Sequence, residues 1–189
     1  VAIEPNYAEA LAGISGVWTY IAPDWAAPDV AYPKARAAAR RALAADSLLA
    51  ESRIAWSAAL LFNDWDVEGA EREARRAITL DSGSALGYDL LGIILRARGR
   101  YDESRTATRR AQELDPLTPQ FVVNEAEAFQ DEGRHDAALP LLRRAIELDS
   151  TYAFAHVRMA YSLMYSGRSA EAFVEARRGA AMRDRSRFA

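Results

Sequence analysis

The chain has 189 residues, with 24 basic and 27 acidic side chains and a formal net charge of −3. Half of it is hydrophobic, which is enough for a packed core and too much for wholesale disorder, and no run approaches the ~18 apolar residues of a membrane span. The absence of cysteine excludes disulfides, thiolate metal sites and a cysteine nucleophile, and the near-balanced charge does not mark an obligatory nucleic-acid binder.

In chain order, residues 1–5 read as the tail of a preceding helix. With no initiator methionine and no leader pattern at Val1, the chain is expected to be a piece of a longer one. Residues 7–47 form a first helix pair, interrupted at 22–29 by Ala22-Pro23-Asp24-Trp25-Ala26-Ala27-Pro28-Asp29. The prolines and tryptophan there predict an ordered loop packed on the helices. A second pair spans 48–82, with an extra residue in the turn Asn63-Asp64-Trp65-Asp66.

The third pair, 83–116, is the clearest. Tyr88, Leu91, Gly92 and Leu95 are spaced three or four apart, predicting a helix over 85–97 that Gly99 ends. A second helix over 102–113 stops at Leu114-Asp115-Pro116, because proline cannot continue it. A fourth pair covers 117–150, where Pro140 should remove one hydrogen bond and shift or kink the start of the second helix. The fifth covers 151–184. Nothing reads as a strand.

The pairs are repeats. Leu80-Asp81 recurs as Leu114-Asp115 and Leu148-Asp149, and 115 − 81 = 149 − 115 = 34. Gly99, Gly133 and Gly167 keep that step, as do Ala77, Ala111, Ala145 and Gly179. The two earlier units are longer, at 82 − 47 = 35 and 47 − 5 = 42 residues.

These residues resemble the tetratricopeptide repeat over essentially the whole chain. Tyr88, Leu91, Gly92, Gly99, Tyr101, Ser104, Ala111 and Pro116 fill the family's marked places in order. Ala126, Phe129, Gly133, Ala138 and Ala145 follow in the next unit, then Ala160, Leu163, Gly167, Ala172 and Gly179. Small residues let helices approach and large ones fill the space between them. His135 and Ser169 depart from the usual aromatic at the start of the second helix, and Glu125 stands at a usual leucine. The resemblance implies an all-α fold, a right-handed α-solenoid of five antiparallel helix pairs.

A finer resemblance covers residues 1–182. Asn6-Tyr7-Ala8-Glu9-Ala10-Leu11-Ala12-Gly13, the long first loop and Asp64-Trp65-Asp66-x-x-Gly69-Ala70-Glu71-Arg72-Glu73 resemble the C-terminal repeat region of bacterial multidomain regulators. The N-terminal parts of those proteins are serine/threonine kinases, winged-helix regulators or nucleotide cyclases. The resemblance implies a non-catalytic interaction scaffold attached to such an output domain. The cytoplasm is the expected compartment, with the periplasm as the alternative.

In this fold the first helices line the concave face. Projection places Ile54, Ala58, Leu61 and Phe62 there from the second pair, and Leu86, Asp89, Ile93 and Arg96 from the third. The fourth adds Val123, Glu127 and Gln130, and the fifth adds Phe154, Val157, Tyr161, Met164 and Tyr165. Aromatic anchors at the C-terminal end suit a peptide or helix partner. Some of them could instead pack against a following repeat, or pair between copies as a homo-oligomer. The basic and asparagine positions by which chaperone-binding members hold a C-terminal carboxylate are not matched.

An Arg-Arg pair recurs at one place in each second helix: Arg40-Arg41, Arg75-Arg76, Arg109-Arg110, Arg143-Arg144 and Arg177-Arg178. Stacked, these would form a ladder for anions or nucleic acid. However, Glu71 lies four before Arg75, Glu113 four after Arg109 and Glu147 four after Arg143, which predicts a solvated, neutralised face instead. Nucleic acid is therefore not the expected partner. His135 and His156 lie in different repeats without a metal-site spacing, and no phosphate loop or nucleophile elbow occurs. Asp64 and Asp66 read as capping residues, and Trp18, Trp25, Trp56 and Trp65 as core and loop packing. No cofactor, metal or catalytic residue is expected.

Overall fold

The computed structural model describes residues 7–21 and 26–186, which form helices joined by turns, with no strand among them. The helices are α1 (Ala8–Gly16), continued by a π-helical stretch (Val17–Ile21), α2 (Pro28–Ala45), α3 (Ala50–Phe62), α4 (Val67–Leu80) and α5 (Ala85–Ala97). They continue as α6 (Tyr101–Leu114), α7 (Pro119–Asp131), α8 (His135–Leu148), α9 (Ala153–Tyr165) and α10 (Ser169–Ser186). The tail expected at residues 1–5 and residues 22–25 of the first loop, including Trp25, lie outside the described residues. The rest of that loop is not all loop: Pro28 and Asp29 begin α2, where proline's fixed φ suits a first helical turn.

Two compact units result, Val1–Arg98 and Gly99–Ala189. In the first, α1 packs on α2 and α3, α3 on α4, and α4 on α5. One core cluster brings Leu11 and Ala12 against Ala39, Ala42, Ala55 and Ala59, with Trp56 alongside, and Leu61, Leu90, Ile94 and Leu95 are buried as well. In the second, α6 packs on α7, α7 on α8 and α9, and α8 and α10 on α9. Val122, Val123, Ala126, Ala138, Leu142, Ala145 and Ala155 form its centre, flanked by Phe129, Tyr152 and Met159.

The repeating sequence markers have local causes. Each Asp after a second helix turns the chain by accepting a backbone N–H two residues on. Asp46 takes Leu48 (2.8 Å), Asp81 takes Gly83 (2.9 Å), Asp115 takes Leu117 (3.2 Å) and Asp149 takes Thr151 (2.8 Å). The Thr151 hydroxyl donates to Asp149 as well, and the two bonds hold that carboxyl below its ordinary range.

Gly99, Gly133 and Gly167 adopt φ of 71°, 74° and 75°, the left-handed conformation that closes a first helix. Around Gly133, the Arg134 N–H reaches back to the Phe129 carbonyl at 2.9 Å, and Arg168 does the same to Leu163 at 2.8 Å. In the second pair the residue in this place is Trp65, with φ 54°, and the Asp66 N–H reaches Leu60 across the one-residue-longer turn. Asp66 then caps α4 by accepting the Gly69 N–H at 2.8 Å.

Pro140 does not displace the start of α8, which begins at His135 and runs unbroken through it. Pro140 is exposed, and the carbonyl deprived of its partner belongs to Asp136 in the exposed first turn, where water can serve it.

Candidate functional site

Helix α9 is divided lengthwise. Ala155, His156, Ala160, Ser162 and Leu163 are buried, whereas Phe154, Val157, Tyr161, Met164 and Tyr165 are exposed along the other side. The buried side is held by α10. Gly179 sits so close to α9 that a Cβ there would stand 3.0 Å from Val157 Cγ2 and 3.1 Å from the Ala153 carbonyl oxygen. Beside it, His156 Nδ1 lies 2.6 Å from Glu175 Oε2, and Arg178 also donates to Glu175 at 2.6 Å. This clamp fixes the rotation of α9 and so decides which residues it presents.

The presented side chains form an aromatic cluster. His135, the first residue of α8, stacks on Tyr165 with ring centroids 4.6 Å apart and planes inclined by 16°. It meets Tyr161 edge-on at 5.5 Å, and Tyr161 and Tyr165 are 4.7 Å apart. A hydrogen bond with Tyr165 pushes the Tyr161 phenol above its ordinary value. The Arg158 guanidinium lies 5.2 Å from the Tyr161 ring and 6.0 Å from Phe154, with its Nε 3.0 Å from Glu127 Oε1. The cation beside these rings is thus already met by a carboxylate. Such a surface offers rigid aromatic anchors with little charge to desolvate. No group of three His, Asp or Glu among the described residues could hold a metal ion.

The other residues projected onto this face are placed differently. Ala58 and Leu61 are buried, and Ile54 and Phe62 half-buried, within the first unit. There Leu86 is exposed, Ile93 and Arg96 are half-buried, and Asp89 is buried. In the second unit Val123, Glu127 and Gln130 are buried because α9 covers them. Gln130 donates to the Arg158 carbonyl at 2.9 Å and to Ser162 Oγ at 2.6 Å. The structure therefore brings together the five residues of α9 and adds His135. In the sequence His135 stands out only as a departure from the repeat, at the position that an aromatic normally fills.

In three of the pairs arginines meet carboxylates. Arg75 pairs with Glu71 (2.7 Å), Arg76 with Glu73 (2.5 Å) and Arg178 with Glu175 (2.6 Å). One expected pairing is rearranged: Glu113 meets Arg110 at 2.7 Å, while Arg109 reaches across to Glu125 of α7 at 2.6 Å. That contact, with Gln112 donating to Glu125 at 2.8 Å, explains how a buried glutamate replaces leucine at this position. The tryptophan expectation fails at Trp65, which is 80% exposed. Trp56 packs on the core, and Trp18 is half-buried under the Lys34 ammonium at 4.2 Å.

Comparison with known proteins supports the fold. The model of the tetratricopeptide repeat family matches residues 119–152. A curated relative, small glutamine-rich tetratricopeptide repeat-containing protein 2 of Mycosarcoma maydis, is 33% identical over 72 residues, which is 38% of this chain. The matched stretch spans 20% of that relative's length. Among solved structures, MamA superposes with a TM-score of 0.65 at 17% identity, over 86% of this chain and 94% of that one. TTC0263, a thermophilic repeat protein of Thermus thermophilus, gives 0.70 at 17% identity over 77% and 79%. PilF of Pseudomonas aeruginosa gives 0.65 at 19% over 93% and 78%. The fold of the chain is that of tetratricopeptide-repeat solenoids.

Proposed function

We propose that this chain is a non-catalytic protein-interaction scaffold, and that a protein or peptide partner docks on the aromatic face of α9. One observation carries the proposal: Phe154, Tyr161 and Tyr165 stand exposed in a row on a helix that α8 and α10 hold rigid. Large aromatics contribute most where they fill a partner's pockets at little entropic cost, and tetratricopeptide-repeat proteins generally mediate protein–protein interactions. The exposed Leu86 and half-buried Ile93 and Arg96 on α5 are the further contact residues proposed in the first unit. The partner-binding role belongs to a larger bacterial signalling protein acting in the cytoplasm. The likeness of residues 1–182 to the repeat regions of such regulators supports that part.

The test is selection of peptides from a displayed library on the folded chain. Peptides with apolar or aromatic anchors should be enriched, and Phe154→Ala/Tyr165→Ala should weaken their binding by about 30-fold or more while keeping helicity. Enrichment of nothing, or binding indifferent to the double change, would contradict the proposal.

A further inference from the structure

Two places in the repeat register, one on each helix of a pair, change together along the chain. In order they hold Leu11 and Ala38, Arg53 and Glu73, Tyr88 and Ala107, Val122 and Leu141, then His156 and Glu175. The register is kept between the two charged pairs: 156 − 53 = 103 and 175 − 73 = 102, the odd residue being the extra one in the turn at 63–66. A glutamate thus occurs at its place only where the other place can carry positive charge.

The two charged sites are built alike. Between α3 and α4, Arg53 Nη1 donates to Glu73 Oε2 at 2.7 Å, and Arg76 Nη1 donates to Oε1 at 2.5 Å. Between α9 and α10, His156 Nδ1 stands 2.6 Å from Glu175 Oε2, and Arg178 Nη1 donates to Oε1 at 2.6 Å. An imidazole occupies the place of a guanidinium.

Its surroundings require that imidazole to act as a cation. Glu175 takes the Arg178 guanidinium and so serves as an accepting carboxylate. On the other side of the ring, Nε2 lies 3.3 Å from the Ser150 carbonyl oxygen, which also only accepts. Only a doubly protonated ring donates to both. The charged groups of the neighbouring elements are engaged elsewhere or point to solvent. From α7, Glu125 is bonded by Arg109 and Gln112, and Glu127 lies against Arg158. From α8, Arg144 reaches Gln112, whereas Arg143 and Glu147 are exposed. In the turn before α9, Asp149 takes Thr151. Among the described residues, the ring bonds only Glu175 and Ser150.

We propose that His156, Glu175 and Arg178 form a pH-sensitive latch between α9 and α10, locked when the ring is protonated and loosened when it is neutral. Histidine is the side chain whose charge ordinarily changes between about pH 5 and 8, whereas an arginine in the same place stays charged. The contacts need the proton, so the latch is complete on the acid side and is lost as the pH rises through that range. Its loss leaves the buried Glu175 carboxylate answered by Arg178 alone, whose side chain is 58% exposed. The α3–α4 site is the same latch in permanent form. The α9–α10 latch needs no partner on α9 and stands apart from that function.

Hydrogen exchange of the backbone amides tests it, comparing α10 with α4 in the unaltered chain at about pH 5.5 and about pH 8 after correction for intrinsic rates. Protection of α10 should fall about tenfold or more at the higher pH, as expected for the loss of a charged hydrogen bond, while α4 changes less than about twofold. His156→Gln should give the low α10 protection at both pH values. His135→Gln should keep the response, which separates the buried ring from the half-buried one. Nitrogen-15 spectra of the unaltered chain should show both His156 ring nitrogens protonated at the lower pH, and they decide the matter even where His156→Gln fails to fold. A ratio of α10 to α4 protection that is the same at both pH values would overturn the proposal. So would a pH response that survives in His156→Gln, or a ring held in one neutral tautomer at the lower pH.

Discussion

Trp65 shows how a repeat position can be kept while its residue type is not. It lies 99 − 65 = 34 residues before Gly99 and holds the same left-handed conformation, although a side chain there costs about 1–2 kcal/mol. Its ring is largely in water, so packing offsets little of that cost. Replacing it with asparagine, which tolerates this region without glycine's extra unfolded-state freedom, should therefore raise stability by about 0.5–1 kcal/mol. A higher urea midpoint for Trp65→Asn is the expected outcome, and an unchanged or lower one would mean that the ring is held by contacts stronger than its exposure suggests. The spacing marks this site in the sequence, but the identity of the residue points to packing and misleads. Glu125 shows the converse: its departure from leucine is visible at once. Its partners Arg109 and Gln112 lie on another helix, and only the folded seam shows that they converge.

Elements are more legible than residues. The periodicity of the third pair predicts its first helix at 85–97, and the observed α5 has those bounds. Turn chemistry, Asp after second helices and Gly after first ones, carries most of that information because it acts between neighbours in the chain. Contacts between helices are less visible, and Gly179 is the best example. The register marks it as a small residue; the structure shows that even a Cβ there would stand only 3.1 Å from the Ala153 carbonyl oxygen. Gly179→Leu should push α10 off α9 and destabilise the second unit by about 2–3 kcal/mol, despite leucine's better helix propensity. Thermal unfolding followed at 222 nm and by tyrosine fluorescence should show an earlier transition in the C-terminal half. An unchanged transition would mean that α10 is not seated where the structure puts it.

For the whole molecule, the 34-residue step reveals a repeat architecture but not which faces remain free. Projection by register selects one row of positions from every first helix, yet coverage depends on what the next helix lays over that row. Val123 and Val157 are one step apart and chemically identical, and one is buried while the other is exposed, because α9 follows the first. In the second unit the candidate binding surface therefore narrows to the outer face of α9 with His135. Nuclear magnetic resonance mapping with a selected peptide tests that narrowing most directly. Shifts should concentrate on Phe154, Tyr161, Tyr165 and His135. Shifts centred instead on the arginine pairs of the second helices, or confined to residues 7–98, would contradict the account.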